Sequence, residues 1–309
     1  MNFTNILSFV AVAFSNAVSA FDIEFASGSA SFLALAFSTR RLTSYQPQYF
    51  PRLHYFARIF NSDVFTISDY LQYVRKHGFL QKDGSTKRGP SYQAHTVIKT
   101  ENSPLLLDIP IKKGGIEGRQ SLNKASIEYA IDWQRKHLNL IRQNYASAPY
   151  FNELFPSLSE TIERHYSSLA ECSIASITWA LSRILEVPAG SIAEINTALP
   201  KPPFRLTAIV RMSQTNIPPA DKIKRDANDW LIETGRAFKA TEYYFGGTAA
   251  KAYMDTDRFK AAGIMPVEQE WKCAPYPQLH GEFAPNLSII DLLMNVPPEE
   301  SRQILLTKN

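Results

Sequence analysis

The residues best suited to proton transfer lie near the end of the chain, within residues 276–295, YPQLHGEFAPNLSIIDLLMN. His280 lies between Gln278 and Glu282 in a segment whose glycine and prolines predict a loop. An imidazole changes its charge near neutral pH, so a loop histidine with polar neighbours is a candidate general acid or base. The alternative is a histidine that only ties its loop to nearby backbone, and both interpretations stay open.

The remaining histidines and the two cysteines offer weaker chemistry. His137 lies on the apolar stripe of a predicted helix, which favours a partly buried histidine over a catalyst. Cys172 and His165 are seven residues apart on one predicted helix, hence roughly 10 Å along its axis. That separation is too large for direct activation of the thiol. Cys273 is near His280 in sequence, so a thiolate–imidazole pair remains an alternative there.

Asp291 has a structural interpretation. Ser288 and Asp291 have the [ST]-x-x-[DE] spacing of a capping box, which predicts that Asp291 caps a helix. The chain contains no HxH, HExxH or CxxC spacing, so no metal site is predicted and the cofactor stays unknown.

The first element that must position such groups is residues 42–69, which predict a strand, a helix and a second strand. The first strand ends at Gln46, because the following proline cannot continue a sheet ladder. Apolar residues three and four apart then predict a helix, and residues 63–68 are rich in β-branched and aromatic types. A βαβ unit would place Gln46 and Asp69 at the carboxyl edge of a parallel sheet, where ligands bind.

The middle of the chain interrupts this pattern. Residues 70–90 are basic and contain three glycines, which predicts a mobile loop rather than an element. Residues 95–100 and 105–111 predict an antiparallel hairpin. Residues 128–190 predict a helical cap with two long helices, the second beginning near Glu160.

The α/β pattern then resumes. Residues 205–212 and 241–245 predict strands on either side of a helix at 221–238. The pair Gly246-Gly247 follows the second of these strands, and residues 265–271 predict an edge strand. The expected fold class is therefore α/β, a Rossmann-like and mostly parallel sheet with an inserted β-hairpin and a helical cap.

The 309 residues are long enough to bury a large core, and we expect a single domain from residue 41 to residue 309. Residues 1–40 are an N-terminal extension, interpreted as an overlong start. Residues 6–20 resemble the apolar region of a signal peptide, which is the alternative, but residues 1–5 carry no Lys or Arg. This apolar run is also too short to cross a bilayer.

The net charge of +4 is too small to indicate nucleic acid as a partner. The bias is local, because residues 75–124 carry ten Lys or Arg and four acidic residues. This segment is either a solvated surface or a rim that faces an anionic ligand. Two cysteines form no disulfide framework and fit a reducing compartment, so we expect a cytoplasmic location.

Several stretches together resemble the WbqC-like family. They are YQPQYFPRLHYF (45–56), DYLQY (69–73), YQAHTVIKT (92–100), DIPIKKGG (108–115), WQRKHL (133–138), NYASAPYF (144–151), GGTAAKAYMD (246–255) and the stretch 276–295. Ala94-His95 replaces the Asn-Arg that the family tends to have, which puts specificity for an anionic substrate in doubt.

The resemblance implies a cytoplasmic bacterial enzyme of O-antigen, lipopolysaccharide or other surface-polysaccharide biosynthesis. The reaction it implies is transfer of an acyl or aminoacyl group, from an acyl-carrier donor, to a nucleotide-linked amino sugar. Two alternatives stay open. One is nucleotidyl transfer, in which His54 would act without a paired HxGH motif. The other is a binding module for a sugar nucleotide or carrier protein, without catalysis.

The predicted site has His280 as its general base. The residues predicted to bind a phosphorylated or nucleotide-linked sugar are Gln46, Tyr49, Asp69, Gln93, Lys99, His137, Gly246, Gly247, Gln278 and Glu282. This assignment requires Gln46 and His280 to lie across one pocket. The expected partner is this small molecule, with no nucleic acid and no integral membrane segment.

Overall fold

Short parallel strands form the central sheet. The computed structural model describes residues 39–80, 86–114, 120–188, 190–199, 204–220, 226–246 and 253–306. Its strands are β1 (Arg41–Tyr45), β2 (Val64–Ile67), β3 (Lys76–Leu80), β4 (Thr86–Pro90), β5 (His95–Ile98), β6 (Leu105–Asp108), β7 (Ala208–Arg211), β8 (Glu242–Phe245) and β9 (Met265–Glu268).

The strand order of this sheet is β7-β2-β1-β8-β9, and every neighbouring pair is parallel. Counted along the chain, the sheet strands therefore lie in the order third, second, first, fourth, fifth. This is the Rossmann order, in which the winding direction reverses between the first and fourth strands. The reversal lies between β1 and β8, and the predicted Rossmann-like α/β fold is confirmed.

The described α-helices pack around this sheet and beside it. They are α1 (Leu53–Phe60), α2 (Trp133–Tyr145), α3 (Phe151–Glu163), α4 (Leu169–Leu185), α5 (Ile192–Thr197), α6 (Ala227–Ala237), α7 (Thr256–Ala261), α8 (Ile289–Asn295) and α9 (Pro298–Leu306). Short 3₁₀ turns occupy Leu122–Lys124 and Met212–Gln214. None of the helices in the described ranges is both long and apolar enough to cross a membrane.

Both faces of the sheet are buried, as parallel sheets require. Because side chains alternate along a strand, Val64 faces one layer and Phe65 the other. Val64 packs in a cluster with Trp230 of α6 and Phe259 of α7. Phe65 packs in the larger cluster, which contains α1 and most of the apolar residues of α2 to α4.

Helix α1 is buried almost all round, which its apolar stripe alone does not predict. Leu53, Phe56 and Phe60 face the core as the spacing indicates, but Arg58 is buried as well. The helix lies against the sheet and also packs against α9. This second partner covers the side of α1 that would otherwise meet solvent.

Two hairpins lie outside the central sheet. The predicted one is present, with β5 and β6 paired antiparallel from His95 opposite Asp108 to Ile98 opposite Leu105. The prediction of a mobile loop over residues 70–90 is wrong there, because β3 and β4 pair as a second antiparallel hairpin. The sequence signal for it is the Asp83-Gly84 dipeptide, which is typical of hairpin turns.

The prediction of one long helix from residue 160 onward is also wrong. The chain leaves α3 at Arg164, whose backbone is extended, and α4 begins at Leu169. Ser168 caps α4, since its side chain accepts a hydrogen bond from the Glu171 backbone N–H. Ser168 and Glu171 have the capping-box spacing, so the sequence does contain a signal for this break.

Candidate functional site

Arg58 reaches from α1 to the carboxyl edge of the sheet. Side chains of a helix tilt toward its amino terminus, and the amino terminus of α1 follows the carboxyl end of β1. The guanidinium lies 4.4 Å from the centre of the Tyr45 ring, at the last residue of β1. Its Nη2 and Nε donate to Gln269 Oε1 at 2.6 Å and 3.0 Å, directly after β9.

Gly246, which directly follows β8, lies against the Arg58 guanidinium and Gln269. A Cβ at position 246 would lie 2.7 Å from Arg58 Nη2 and 2.9 Å from both Gln269 Cβ and Oε1. No side chain fits there unless Arg58 or Gln269 moves. The Arg58 guanidinium therefore lies where the carboxyl ends of β1, β8 and β9 converge, which is the switch point of the sheet.

The charge of Arg58 is not neutralised within the described part of the chain. The residue is 2% exposed, yet no carboxylate there forms an ion pair with it. Nη1 is buried, and no described residue accepts a hydrogen bond from it. Buried cations are usually paired, because removing a charge from water is costly. Arg58 is thus a cationic centre whose hydrogen-bond partner, Gln269, is neutral.

Gln269 links Arg58 to His54. Its Nε2 donates to the His54 backbone carbonyl at 3.0 Å. The His54 ring Nδ1 lies 3.0 Å from Asn286 Oδ1, so we assign it as the donor. Burial, and then the nearby Arg58 charge, lower the pKa of His54 to about 4. The imidazole is therefore neutral at pH 7 and adds no charge to this site.

Gln46 and Gln93, both predicted to bind substrate, are brought together. Gln46 Oε1 accepts from Gln93 Nε2 at 2.7 Å and from the Tyr92 hydroxyl at 3.0 Å. Gln93 is fully buried, and its Oε1 accepts from the Val74 backbone N–H. These amides hold the loop after β1 against the loop before β5. Gln46 directly follows Tyr45, so the pair lies beside the Arg58 site.

Asp69 is also at the carboxyl edge, but its carboxylate is fully engaged. It is 0% exposed and pairs with Arg211, the last residue of β7, at 3.0 Å. Ser213 donates to it from both its hydroxyl, at 2.6 Å, and its backbone N–H, at 2.9 Å. Arg211 also pairs with Glu171 of α4. This network joins the ends of β2 and β7 to α4.

The prediction that Asp291 caps α8 is wrong, although Ser288 does cap it. The Asp291 carboxylate accepts hydrogen bonds from the hydroxyls of Tyr145, at 2.8 Å, and Tyr276, at 2.7 Å. Gln278 Nε2 donates to it at 2.9 Å. Burial raises the pKa of Asp291. The Asp291 carboxylate therefore holds Tyr276 and Gln278 of the stretch 276–295, in which the sequence places the residues best suited to proton transfer.

Lys99 fixes the loop that carries His280. Its Nζ is buried and donates to Glu282 O at 2.6 Å, Gln278 Oε1 at 3.1 Å and Gly281 O at 3.4 Å. The predicted residues Lys99, Gln278 and Glu282 are thus brought together. Glu282 contributes its backbone carbonyl, and its side chain is exposed.

His280 is half-buried, and its Nε2 lies 2.7 Å from the backbone carbonyl of Asn144, so Nε2–H donates. The loop-tethering alternative for His280 is thus present in the structure. Its backbone has a φ of +61°, in the left-handed region that non-glycine residues rarely adopt. Burial raises the pKa of the Cys273 thiol, the direction opposite to that of an activated nucleophile.

Tyr49 and His137 meet in the core. The Tyr49 hydroxyl lies 3.2 Å from His137 Nδ1, and both side chains are buried. Burial lowers the pKa of His137 to about 4, so this imidazole is neutral at pH 7. The pair joins α2 to the loop after β1. Gly247 lies outside the described residues.

The predicted site residues thus fall into separate groups. Gln46 contacts Gln93, before β5, whereas the His280 loop contacts Lys99, after β5. Six residues of extended chain span roughly 20 Å. These contacts give no support to one pocket shared by Gln46 and His280. The sequence patterns also did not select Arg58, whose only signal was its place one turn after His54 on the first helix.

The strand order and the residues at the carboxyl edge of the sheet define the class of protein. It is an open α/β protein of Rossmann order, with a buried arginine at the switch point of its sheet. Among the described residues, no group of three or more His, Cys, Asp or Glu is arranged to hold a metal ion.

The chain belongs to the WbqC-like protein family, whose profile matches residues 46–303. It is also 27% identical over 265 residues to a protein of Mycobacterium tuberculosis (strain ATCC 25618 / H37Rv) named "Uncharacterized protein Rv1507c". That alignment covers 84% of this chain and 95% of the relative. No solved structure matches the chain. The family resemblance identified from the sequence is therefore confirmed.

Proposed function

We propose that this protein is a transferase that modifies a nucleotide-linked sugar during the biosynthesis of a bacterial surface polysaccharide such as O-antigen. The observation that carries the proposal is the reversal of the parallel sheet between β1 and β8. Ligands of open α/β sheets bind outside the carboxyl ends of the strands at such a point. The WbqC-like family resemblance supports the polysaccharide context.

The side chains at this edge suit a sugar nucleotide. Gln46 follows β1, and its amide accepts from Tyr92 and Gln93 and donates to the Gln72 carbonyl. A sugar hydroxyl or a base would bind there by exchanging one of these hydrogen bonds. Tyr253 is close enough to Tyr45 and Arg58 to interact with them electrostatically, and it is 51% exposed. An exposed aromatic ring beside polar groups is a common surface for stacking a sugar or base.

His280 is the proposed general base, which accepts a proton from the acceptor amine or hydroxyl as this group attacks the acyl carbonyl of the donor thioester. The acyl–sulfur bond breaks, and the proton passes to the departing carrier thiolate. Because Gln46 and His280 belong to separate groups, the bound acceptor would have to extend from the edge of the sheet to the His280 loop. Nε2–H donates to Asn144, so Nδ1 is the nitrogen that remains to accept a proton. The left-handed backbone at His280 supports this role, since strained residues cluster at functional sites. Lys99 holds the loop in place.

The proposal is tested by binding and turnover with the same protein sample. We expect at least one of a panel of UDP-, GDP-, CMP- and dTDP-linked amino sugars to raise the melting temperature, because a ligand of the folded state stabilises it. Adding acyl or aminoacyl donors, including carrier-protein thioesters, should then give a product heavier by the transferred group in mass spectrometry.

The alternatives predict different outcomes. Nucleotidyl transfer would release pyrophosphate from a nucleoside triphosphate. A binding module would bind a sugar nucleotide or carrier protein saturably, without product for any donor. If no nucleotide-linked sugar changes the melting temperature or yields a product, the proposed function is wrong.

A further inference from the structure

We infer that Arg58 is the anchor for a phosphate group of the ligand, which binds the Nε and Nη2 edge of the guanidinium in place of Gln269 Oε1. The inference rests on the proposed function only for the identity of the ligand as a nucleotide-linked sugar. The phosphate site itself follows from contacts around Arg58.

Arg58 differs from three partly buried arginines that form ion pairs. Arg41, Arg205 and Arg211 are partly buried, and each forms an ion pair with a carboxylate at 2.7–3.0 Å. Arg58 is more buried than these three, but no carboxylate of the described chain pairs with it. A buried guanidinium without an anion is the arrangement expected where the anion belongs to a ligand.

The Gln269 contact occupies the edge of the guanidinium that suits an anion. One amide oxygen accepts from both Nε and Nη2, which is the edge that binds carboxylates and phosphates through two parallel hydrogen bonds. Gln269 is half-buried, so its side chain can leave this edge more readily than a core residue. Two phosphate oxygens would then replace one neutral oxygen, and the site would gain a negative charge.

The Arg58 guanidinium is held at the switch point of the sheet. Gly246 brings the chain after β8 so close that a Cβ would collide with Arg58 Nη2. Tyr45 supports the guanidinium from the end of β1. Nη1 remains without a partner and provides a further donor toward a bound anion. This cation is therefore held at the place where ligands of this fold bind.

Gln269→Glu is the most informative variant, because it places a carboxylate on the edge where the phosphate is proposed to bind. Its matched control is Gln143→Glu, the same chemical change at an exposed position of α2. Arg58→Gln removes the charge itself, and Arg41→Gln removes an arginine that also lies over a tyrosine ring but has Glu242 as its partner. Arg58→Gln also removes a buried side chain that packs on Tyr45, so an unfolded Arg58→Gln protein would say nothing of binding, and Gln269→Glu decides the test.

The probes are inorganic phosphate, pyrophosphate, UDP and the nucleotide-linked sugars, with affinity measured by calorimetry and by melting temperature. We expect the wild type and Gln143→Glu to bind pyrophosphate and UDP with equal affinity. Gln269→Glu should bind them at least tenfold more weakly while remaining folded by circular dichroism. Binding of inorganic phosphate alone as tightly as UDP would assign the site to free phosphate instead of a nucleotide.

The possible failures are distinguishable. If Gln269→Glu binds nucleotide-linked sugars as the wild type does, the anchor is overturned and the proposed function stands, whether or not Arg58→Gln folds. If the wild type binds pyrophosphate through Arg58 but no nucleotide-linked sugar, the anchor stands and the proposed function is overturned. Loss of pyrophosphate binding in Arg41→Gln to the same degree would also overturn the anchor.

Discussion

Arg58 and Gln269 are 211 positions apart in the chain, and one side-chain oxygen of Gln269 accepts two hydrogen bonds from the guanidinium. The contact joins the first helix after β1 to the residue after β9, across the reversal of the sheet. The Arg58 guanidinium carries a full positive charge, whereas the Gln269 amide that accepts from it is neutral. Such a contact can be exchanged for an anion without breaking an ion pair.

Gly246→Ala should disturb Arg58 directly. The added Cβ would lie 2.7 Å from Nη2, and we expect a loss of about 1–3 kcal/mol in the free energy of unfolding, typical of overpacking. Pyrophosphate affinity should fall as well. Gly263→Ala is the control for affinity. At its φ of +77° alanine is strained and also lowers stability, but no described atom lies within 4 Å of the added Cβ, so pyrophosphate affinity should stay at the wild-type value. Unchanged affinity in Gly246→Ala would contradict the close approach.

Asp69→Asn should reduce stability strongly. It replaces a fully buried, hydrogen-bonded carboxylate with a neutral amide. Arg211 keeps its second partner, Glu171, so we expect a loss of about 1–3 kcal/mol, typical of a lost hydrogen bond to a buried charged group. Asp226→Asn is the control, because Asp226 pairs with Arg258 in an exposed position; surface pairs contribute about 0–1 kcal/mol. Urea denaturation measures both. If Asp69→Asn stays as stable as the wild type but loses ligand binding, Asp69 binds substrate, as the sequence predicted.

The stability of the protein should fall on acidification below about pH 6.5. Burial lowers the pKa of His137 from 6.5 to about 4, so the unfolded chain binds a proton in this window that the folded protein does not. The contribution is fully present above pH 6.5 and is lost as the pH falls through about 4. For this difference it amounts to roughly 3 kcal/mol.

His137→Gln isolates that contribution. The variant should be less stable than the wild type at pH 7, but its free energy of unfolding should change less between pH 6.5 and 4. Burial also lowers the pKa values of His54 and His95 to about 4. These two histidines should therefore still make the free energy of unfolding of the variant depend on pH. Urea unfolding at a series of pH values gives both curves. Parallel curves would rule out His137 as a source of the pH dependence.

His280→Gln separates the two roles of His280. Glutamine can still donate to the Asn144 carbonyl, but it cannot act as a general base. If His280 is the base, turnover should fall roughly 10²- to 10⁴-fold, while substrate affinity and stability stay close to those of the wild type. Wild-type turnover in a folded His280→Gln protein would leave only the tethering role. This measurement requires the donor and acceptor identified by the ligand panel.

Local sequence patterns decided much of the architecture. The βαβ unit of residues 42–69, the hairpin of β5 and β6 and the later strands follow from periods of two and 3.6 residues, which depend on neighbouring residues alone. Two errors, the β3–β4 hairpin and the break before α4, have local signals in Asp83-Gly84 and Ser168. The basic composition of residues 70–90 obscured the first signal, and the continuous apolar stripe from residue 160 onward obscured the second.

The site depended on contacts that no local pattern contains. A charged side chain on a helix indicates a solvent-exposed face. Arg58 is buried because its side chain packs at the edge of the sheet, against Tyr45, Gly246 and Gln269. Asp291 likewise has the spacing of a capping box, but its carboxylate accepts hydrogen bonds from Tyr145 and Tyr276 instead of capping the helix. The sequence alone determined the strands of the parallel sheet, the β5–β6 hairpin and the family. Only the tertiary structure decided which polar groups are buried together, because burial and hydrogen bonding depend on residues as far apart as the 211 positions between Arg58 and Gln269.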